Sequence, residues 1–110
     1  MACGSQGEQN AMGELAEGVW RSGLEQSGVR LAPKAPFEGG PDALRVGLIR
    51  DAGEVDPGWD WAELKPNTPS GISKGMQQMA KRRADGWLGR GALFLYDTEG
   101  GGAFSFKPHY

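Results

Sequence analysis

Histidine and cysteine are nearly missing from this chain: in 110 residues there is one of each, His109 and Cys3. A single thiol cannot close an intrachain disulfide, which excludes a small scaffold held together by disulfide staples. One Cys and one His also fall short of a structural zinc site, so no metal is expected. Long apolar runs are missing too. Residues 1–20 lack the continuous apolar stretch of a signal peptide. The longest strongly apolar run, Ala92–Tyr96, is far too short to cross a bilayer. These absences predict a chain of the cytoplasm or another reducing compartment, with no membrane partner.

Neither sign of charge dominates, since 12 Lys and Arg stand against 14 Asp and Glu. A net charge of −2 gives no strong attraction to nucleic acid. The charges are nevertheless segregated. Residues 1–73 carry 6 basic and 11 acidic residues, and residues 74–110 carry 6 and 3. Such an acidic front and basic back can pair within one domain or offer a basic face to an acidic partner.

What is present suffices for one small domain. Hydrophobic residues make up 38%, with four Trp and four Phe, while 19 glycines and seven prolines predict much turn and loop. Residues 1–9 read as a disordered start, and residues 10–110 as a single domain. From Asn10, a plausible N-cap, residues Met12, Leu15, Ala16, Val19, Trp20 and Leu24 recur at helical spacing and predict one apolar stripe. Gly13, Gly18 and Gly23 each weaken that helix by about 1 kcal/mol relative to Ala, so it depends on tertiary packing. Residues 31–42 should be irregular. Ala43–Arg50 alternates as a strand with Leu44, Val46 and Leu48 on one face. Asp56-Pro57 carries a helix-start signal, which predicts a short helix in which Trp61 and Leu64 share a face. Thr68-Pro69 repeats the signal before a helix reaching Asp85, with Gly86 just past its end. The runs ALFLYD and AFSFK bracket TEGGG and predict a C-terminal hairpin. The expected fold is α+β: two amphipathic helices packed on a short antiparallel sheet.

Gly71-Ile72-Ser73-Lys74-Gly75 has the form G-x-S-x-G, and Asp97 and His109 follow it in order. The five residues resemble the nucleophile motif of α/β-hydrolases, a resemblance that implies Ser73 as nucleophile. That motif needs a buried strand before it, and LKPNTPS holds two prolines, which bars a central strand. Ser73 is therefore read as part of the first two turns of a helix, Asp97 as a turn residue and His109 as a chain-end residue. A second resemblance spans about sixty positions. Leu48-Ile49-Arg50 ends a strand, Gly71-Ile72-Ser73 opens a helix and a hairpin closes the chain. This order looks like compact ADP-ribosyltransferase-type toxin domains, and the likeness implies that Arg50 and Ser73 help hold NAD. A convincing catalytic glutamate has no counterpart, Glu99 being the only acidic residue besides Asp97 in the hairpin.

Arg83 falls among Ile72, Met76 and Met79 on the helical wheel. It reads either as a last-turn arginine whose stem covers the core edge or as an anion-binding group. Lys81, Arg82, Arg83 and Arg90, with Trp87 close by, read as a solvated helix face or a mate for the acidic front. As a phosphate-binding surface the cluster is weak in an acidic chain. Gly100-Gly101-Gly102 has no following helix to make a phosphate cradle. Trp59 and Trp61 read by default as core residues that a small chain needs for burial, but two indoles so close together are hard to bury, which makes the pair surface-prone. With no catalytic constellation and no cofactor motif, the chain reads as a non-enzymatic binding or accessory protein that contacts another protein. The expected contact residues are Trp59, Trp61, Arg82, Arg83 and Trp87.

Overall fold

The computed structural model describes residues 6–33, 40–46, 55–99 and 102–109. Their elements are α1 (Gln6–Gln26), β1 (Ala43–Leu44), β2 (Trp61–Pro66), α2 (Pro69–Ala84), β3 (Gly91–Thr98) and β4 (Phe104–Pro108). The four strands form one sheet in the order β1-β2-β3-β4. The class is α+β as expected, but the sheet is mixed and not antiparallel. β1 runs antiparallel to β2, β2 parallel to β3, and β3 antiparallel to β4. The parallel pair exists because α2 carries the chain from the end of β2 back to the start of β3, the crossover that parallel strands require.

β2 replaces the expected short helix. Asp56 does not cap a helix; its Oδ1 accepts a bond from the Gly58 amide two residues on, at 2.9 Å, which makes a local turn. Gly58 follows with φ +87°, a conformation that glycine takes at low cost. The strand then starts at Trp61 and buries its first four residues, with neighbours on both faces. Leu64-Lys65-Pro66 thus does end a central strand, contrary to the sequence expectation. Pro66 is tolerated because it is the last strand residue.

The two helices lie on opposite faces of the sheet. α1 sends Ala16 and Trp20 into a cluster with Val29, Ala43, Trp59, Ala62, Leu64, Ala92 and Tyr96. Trp20 stacks on Trp59 at 6.5 Å between ring centroids and meets Phe94 at 5.4 Å. α2 sends Met79 onto Trp61, Leu93 and Leu95. Strand alternation explains the division, since successive residues of β2 and β3 point to opposite faces.

α2 matches its sequence signals closely. Thr68 is the N-cap and its Oγ1 accepts from the Gly71 amide at 2.9 Å, with Pro69 in the first turn. At the other end Gly86 has φ +95°. Its amide bonds the Arg83 carbonyl and the Trp87 amide bonds the Arg82 carbonyl, which closes the helix in a Schellman motif. The hairpin of β3 and β4 also stands where the sequence put it, in a register pairing Tyr96 with Phe106.

Three boundaries differ. α1 starts at Gln6, so Asn10 lies inside the helix and is not its cap. The expected strand from Ala43 is described for two residues, with Arg45 making an isolated bridge to Leu31. Residues 47–50 of that expectation lie outside the described residues. The single apolar stripe of α1 divides in two. Ala16 and Trp20 are buried, whereas Met12, Leu15 and Val19 face solvent.

Candidate functional site

The three residues of the hydrolase reading do not meet. Ser73 is an exposed residue inside α2 and does not sit on a strand-to-helix turn. Asp97 pairs with Ser105 inside the hairpin, and its carboxylate accepts from Asn67 Nδ2 at 3.1–3.2 Å. It is a strand residue tying β3 to the segment before α2, and the turn lies beyond it. His109 follows β4 at the opposite end, where its amide bonds the Leu93 carbonyl at 2.7 Å. The glycines of G-x-S-x-G have a packing reason instead. A Cβ on Gly71 would collide with the Pro66 carbonyl, and one on Gly75 would lie 2.7 Å from Leu93 Cδ1. They let α2 press onto β2 and β3.

Arg50, which the NAD-using likeness needs, lies outside the described residues. Gly100 and Gly101 do too. Among the described residues no three His, Cys, Asp or Glu side chains gather as metal ligands. No described helix is long and apolar enough to cross a membrane.

The tryptophan pair is not a surface. Trp59 is 4% exposed and Trp61 is fully buried. The conflict between two close indoles resolves because Trp59 precedes the strand and enters the α1-side cluster, whereas Trp61 opens β2 and enters the α2-side cluster. Room for the Trp61 ring comes from its cross-strand partner Gly91, where a Cβ would overlap the indole. The Trp61 Nε1 is buried and has no hydrogen-bond partner among the described residues.

The basic cluster is dispersed as well. Arg82, not Arg83, is the arginine drawn into the core. It shares the sheet-facing side of α2 with Gly71, Gly75 and Met79. Its Nε donates to Glu63 Oε1 at 2.8 Å, and its Nη2 donates to the Gly40 carbonyl at 2.8 Å. Arg83 is exposed and lies over the Trp61 ring at 5.8 Å, a cation–π contact. Arg90 lies 3.6 Å from Asp60 and 3.8 Å from Asp56. Trp87 is half-buried against the α2-side cluster. Arg82 and Arg90 of the basic back are thus paired with the acidic front inside the domain, and Arg82 offers nothing to a phosphate backbone.

Glu63 is the ionisable residue that sequence reasoning missed. It is 2% exposed, between β2 and α2. Burial pushes its carboxyl up to about 7, the charge of Asp42 pushes the same way, and the Arg82 bond opposes them. Asp42 itself accepts from the Leu64 amide at 2.8 Å. Asp60 has the contrary setting near the surface. Bonds from the Arg90 amide at 2.7 Å and from Arg45 at 3.0 Å hold its carboxyl below the ordinary range. Glu63 fastens the middle of β2 to α2, and Asp60 fastens the approach to β2 to Arg45 and Arg90. One open depression among the described residues is lined by Glu25, Gly28, Val29, Arg30 and Leu31.

The feature left unexplained by folding is the outer face of α1. Met12, Leu15 and Val19 are 42%, 62% and 49% exposed. Around them lie Ala11, Gly18, Ser22, Gly23 and Gln26, all exposed. At 100° per residue these positions span roughly 140° of the helix, and between Ala11 and Gln26 no charged residue falls within that arc. A Cβ on Gly18 or Gly23 would meet nothing among the described residues. Compared with known families, curated proteins and solved structures, the chain finds no match in any of the three.

Proposed function

We propose that this chain is a small binding protein, non-enzymatic, that acts by protein–protein contact through the outward face of α1. The observation that carries the reading is the partly apolar arc around Met12, Leu15 and Val19, uncharged from Ala11 to Gln26, on a helix whose other side is seated on the sheet. Single exposed apolar residues are ordinary, but three in helical register, with no charge between them, form a patch of the kind that marks interaction sites. This surface takes the place of Trp59 and Trp61, which serve the core.

The test compares capture by the tagged chain and by its Leu15→Asp/Val19→Asp variant, from native lysate, with circular dichroism as the folding control. A protein held in stoichiometric amount by the wild type and lost from the equally folded variant is expected. Equal capture by both, or none by the wild type, overturns the reading.

A further inference from the structure

We infer that the outer face of α1 receives an amphipathic helix whose apolar seam is flanked by Lys and Arg. This rests on the binding-protein reading and names the chemistry of its partner. Met12, Leu15, Val19, Ser22 and Gln26 follow one another at spacings of three, four, three and four. That is the alternation by which one helix meets another along a seam. The exposed arc of α1 from Ala11 to Gln26 is 16 residues long. At a rise of about 1.5 Å per residue this seats a partner of about four turns. Gly18, Ser22 and Gly23 leave the backbone uncovered between the larger side chains, so a second helix can approach closely. The glycines weaken α1, and no contact among the described residues accounts for Gly18 or Gly23.

Charge selects the partner. Glu14 and Glu25 are exposed and lie within about 20° of each other on the wheel, along one margin of the uncharged arc. The one basic residue of α1, Arg21, is turned inward and donates to the carbonyls of Asp42 and Ala32, each at 2.7 Å. A second copy of this chain is therefore a poor occupant, because its α1 brings no base to the acidic margin. An anionic membrane is opposed by the same two carboxylates. A helix with Lys or Arg beside its apolar seam satisfies both the arc and the margin. One helix on one helix covers less than the 1,200–2,000 Å² typical of stable interfaces, so an isolated peptide should bind weakly, with Kd of micromolar order.

The probes are two synthetic peptides with the same Leu seam at three–four spacing, one flanked by Lys and Arg and the other by Glu. Each is titrated into the full chain while NMR shifts of the α1 amides are followed. The basic peptide should bind at least about tenfold more tightly, shift Met12, Leu15 and Val19, and weaken with salt. Glu14→Lys/Glu25→Lys should reverse the preference, and Leu15→Asp should abolish binding of both. Equal affinity for the two peptides overturns the inference while leaving the face a docking site. So does binding of neither peptide when lysate capture still depends on Leu15. Sedimentation of the chain alone as a dimer that Leu15→Asp dissolves also overturns it, by assigning the face to a second copy. Capture independent of Leu15 and Val19 removes the binding-protein reading itself.

Discussion

Glu63→Gln should remove a pH dependence of stability whose sign distinguishes two opposing effects. In the folded chain burial raises the Glu63 carboxyl from 4.5 to about 7, and the bond from Arg82 opposes that rise without cancelling it. In the unfolded chain the carboxyl is hydrated and returns to its ordinary value. Between these two values the folded state holds a proton that the unfolded state has released. Unfolding then releases a proton, so stability falls as pH rises. The contribution is complete below pH 4.5 and is lost as the pH passes through about 7. At 1.36 kcal/mol per pH unit, the gap from 4.5 to about 7 amounts to roughly 3 kcal/mol. Gln keeps an Oε1 acceptor for Arg82 Nε and cannot ionise. Urea unfolding of wild type and variant across this interval supplies the test, read as the difference in stability at each pH so that groups remote from Glu63 cancel. The difference should move by about 3 kcal/mol against the wild type as pH rises. A flat difference refutes the argument. A difference that moves in the wild type's favour shows that the Arg82 ion pair outweighs desolvation, because a carboxyl held low by its partner gains stability with rising pH.

Two further substitutions test packing and capping. Gly75→Ala should destabilise by about 1–3 kcal/mol, because the new methyl lies 2.7 Å from Leu93 Cδ1 and 3.2 Å from Lys65 Cγ. The same change at Gly18, where nothing lies within 4 Å, should stabilise the free chain by up to about 1 kcal/mol through helix propensity. Thermal unfolding of both variants would contradict the packing account if the two midpoints moved in the same direction. Thr68→Ala should lower stability by about 1 kcal/mol through loss of the Oγ1 acceptor, and Thr68→Ser should restore most of it. Denaturant midpoints for the pair decide that case.

The elements legible in the sequence are those that local chemistry specifies. Thr68-Pro69 and Gly86 bound α2 because a cap acceptor, a fixed φ and a positive φ are each set by one residue. The hairpin is legible because two alternating runs flank a glycine-rich loop. β2 was hidden because Asp56-Pro57 means the same thing to a turn and to a helix start, and only the Gly58 amide decides between them. Its residues Trp61–Leu64 show no simple polar–apolar alternation, since both faces are covered and Glu63 lies within one of them. The wheel misplaced the arginines for a related reason. It weighted Ile72, Met76 and Met79, but the face that presses on the sheet is set by Gly71 and Gly75. Glycine carries no apolar weight, so periodicity pointed to Arg83 when close approach had chosen Arg82. In α1 the apolar arc was legible, but how much of it the sheet would cover was not. That extent depends on where β2 and β4 stand, which no local signal encodes.

The uncovered part of that arc bears on how α1 holds together. α1 contains four glycines, each of which reduces helix propensity by about 1 kcal/mol. Of Gly13, Gly18 and Gly23, only Gly13 has a neighbour among the described residues, the Tyr96 hydroxyl 3.9 Å from where its Cβ would stand. A helix of 21 residues so interrupted has little stability of its own. It is fastened mainly by Ala16, Trp20 and part of Leu24 on one side, and by the two Arg21 bonds beyond them. Elements attached by few buried contacts are the first to open in a folded protein. A ligand on the outer face would bind α1 only in its helical form, and so would oppose that opening. At a concentration of 100 times Kd it would add about 2.7 kcal/mol to the stability of the bound state. The glycines that make α1 weak alone also leave its backbone open to a partner. Low intrinsic stability and an accessible docking face therefore have one cause in this helix, and changing Gly18 to Ala would strengthen the first while narrowing the second.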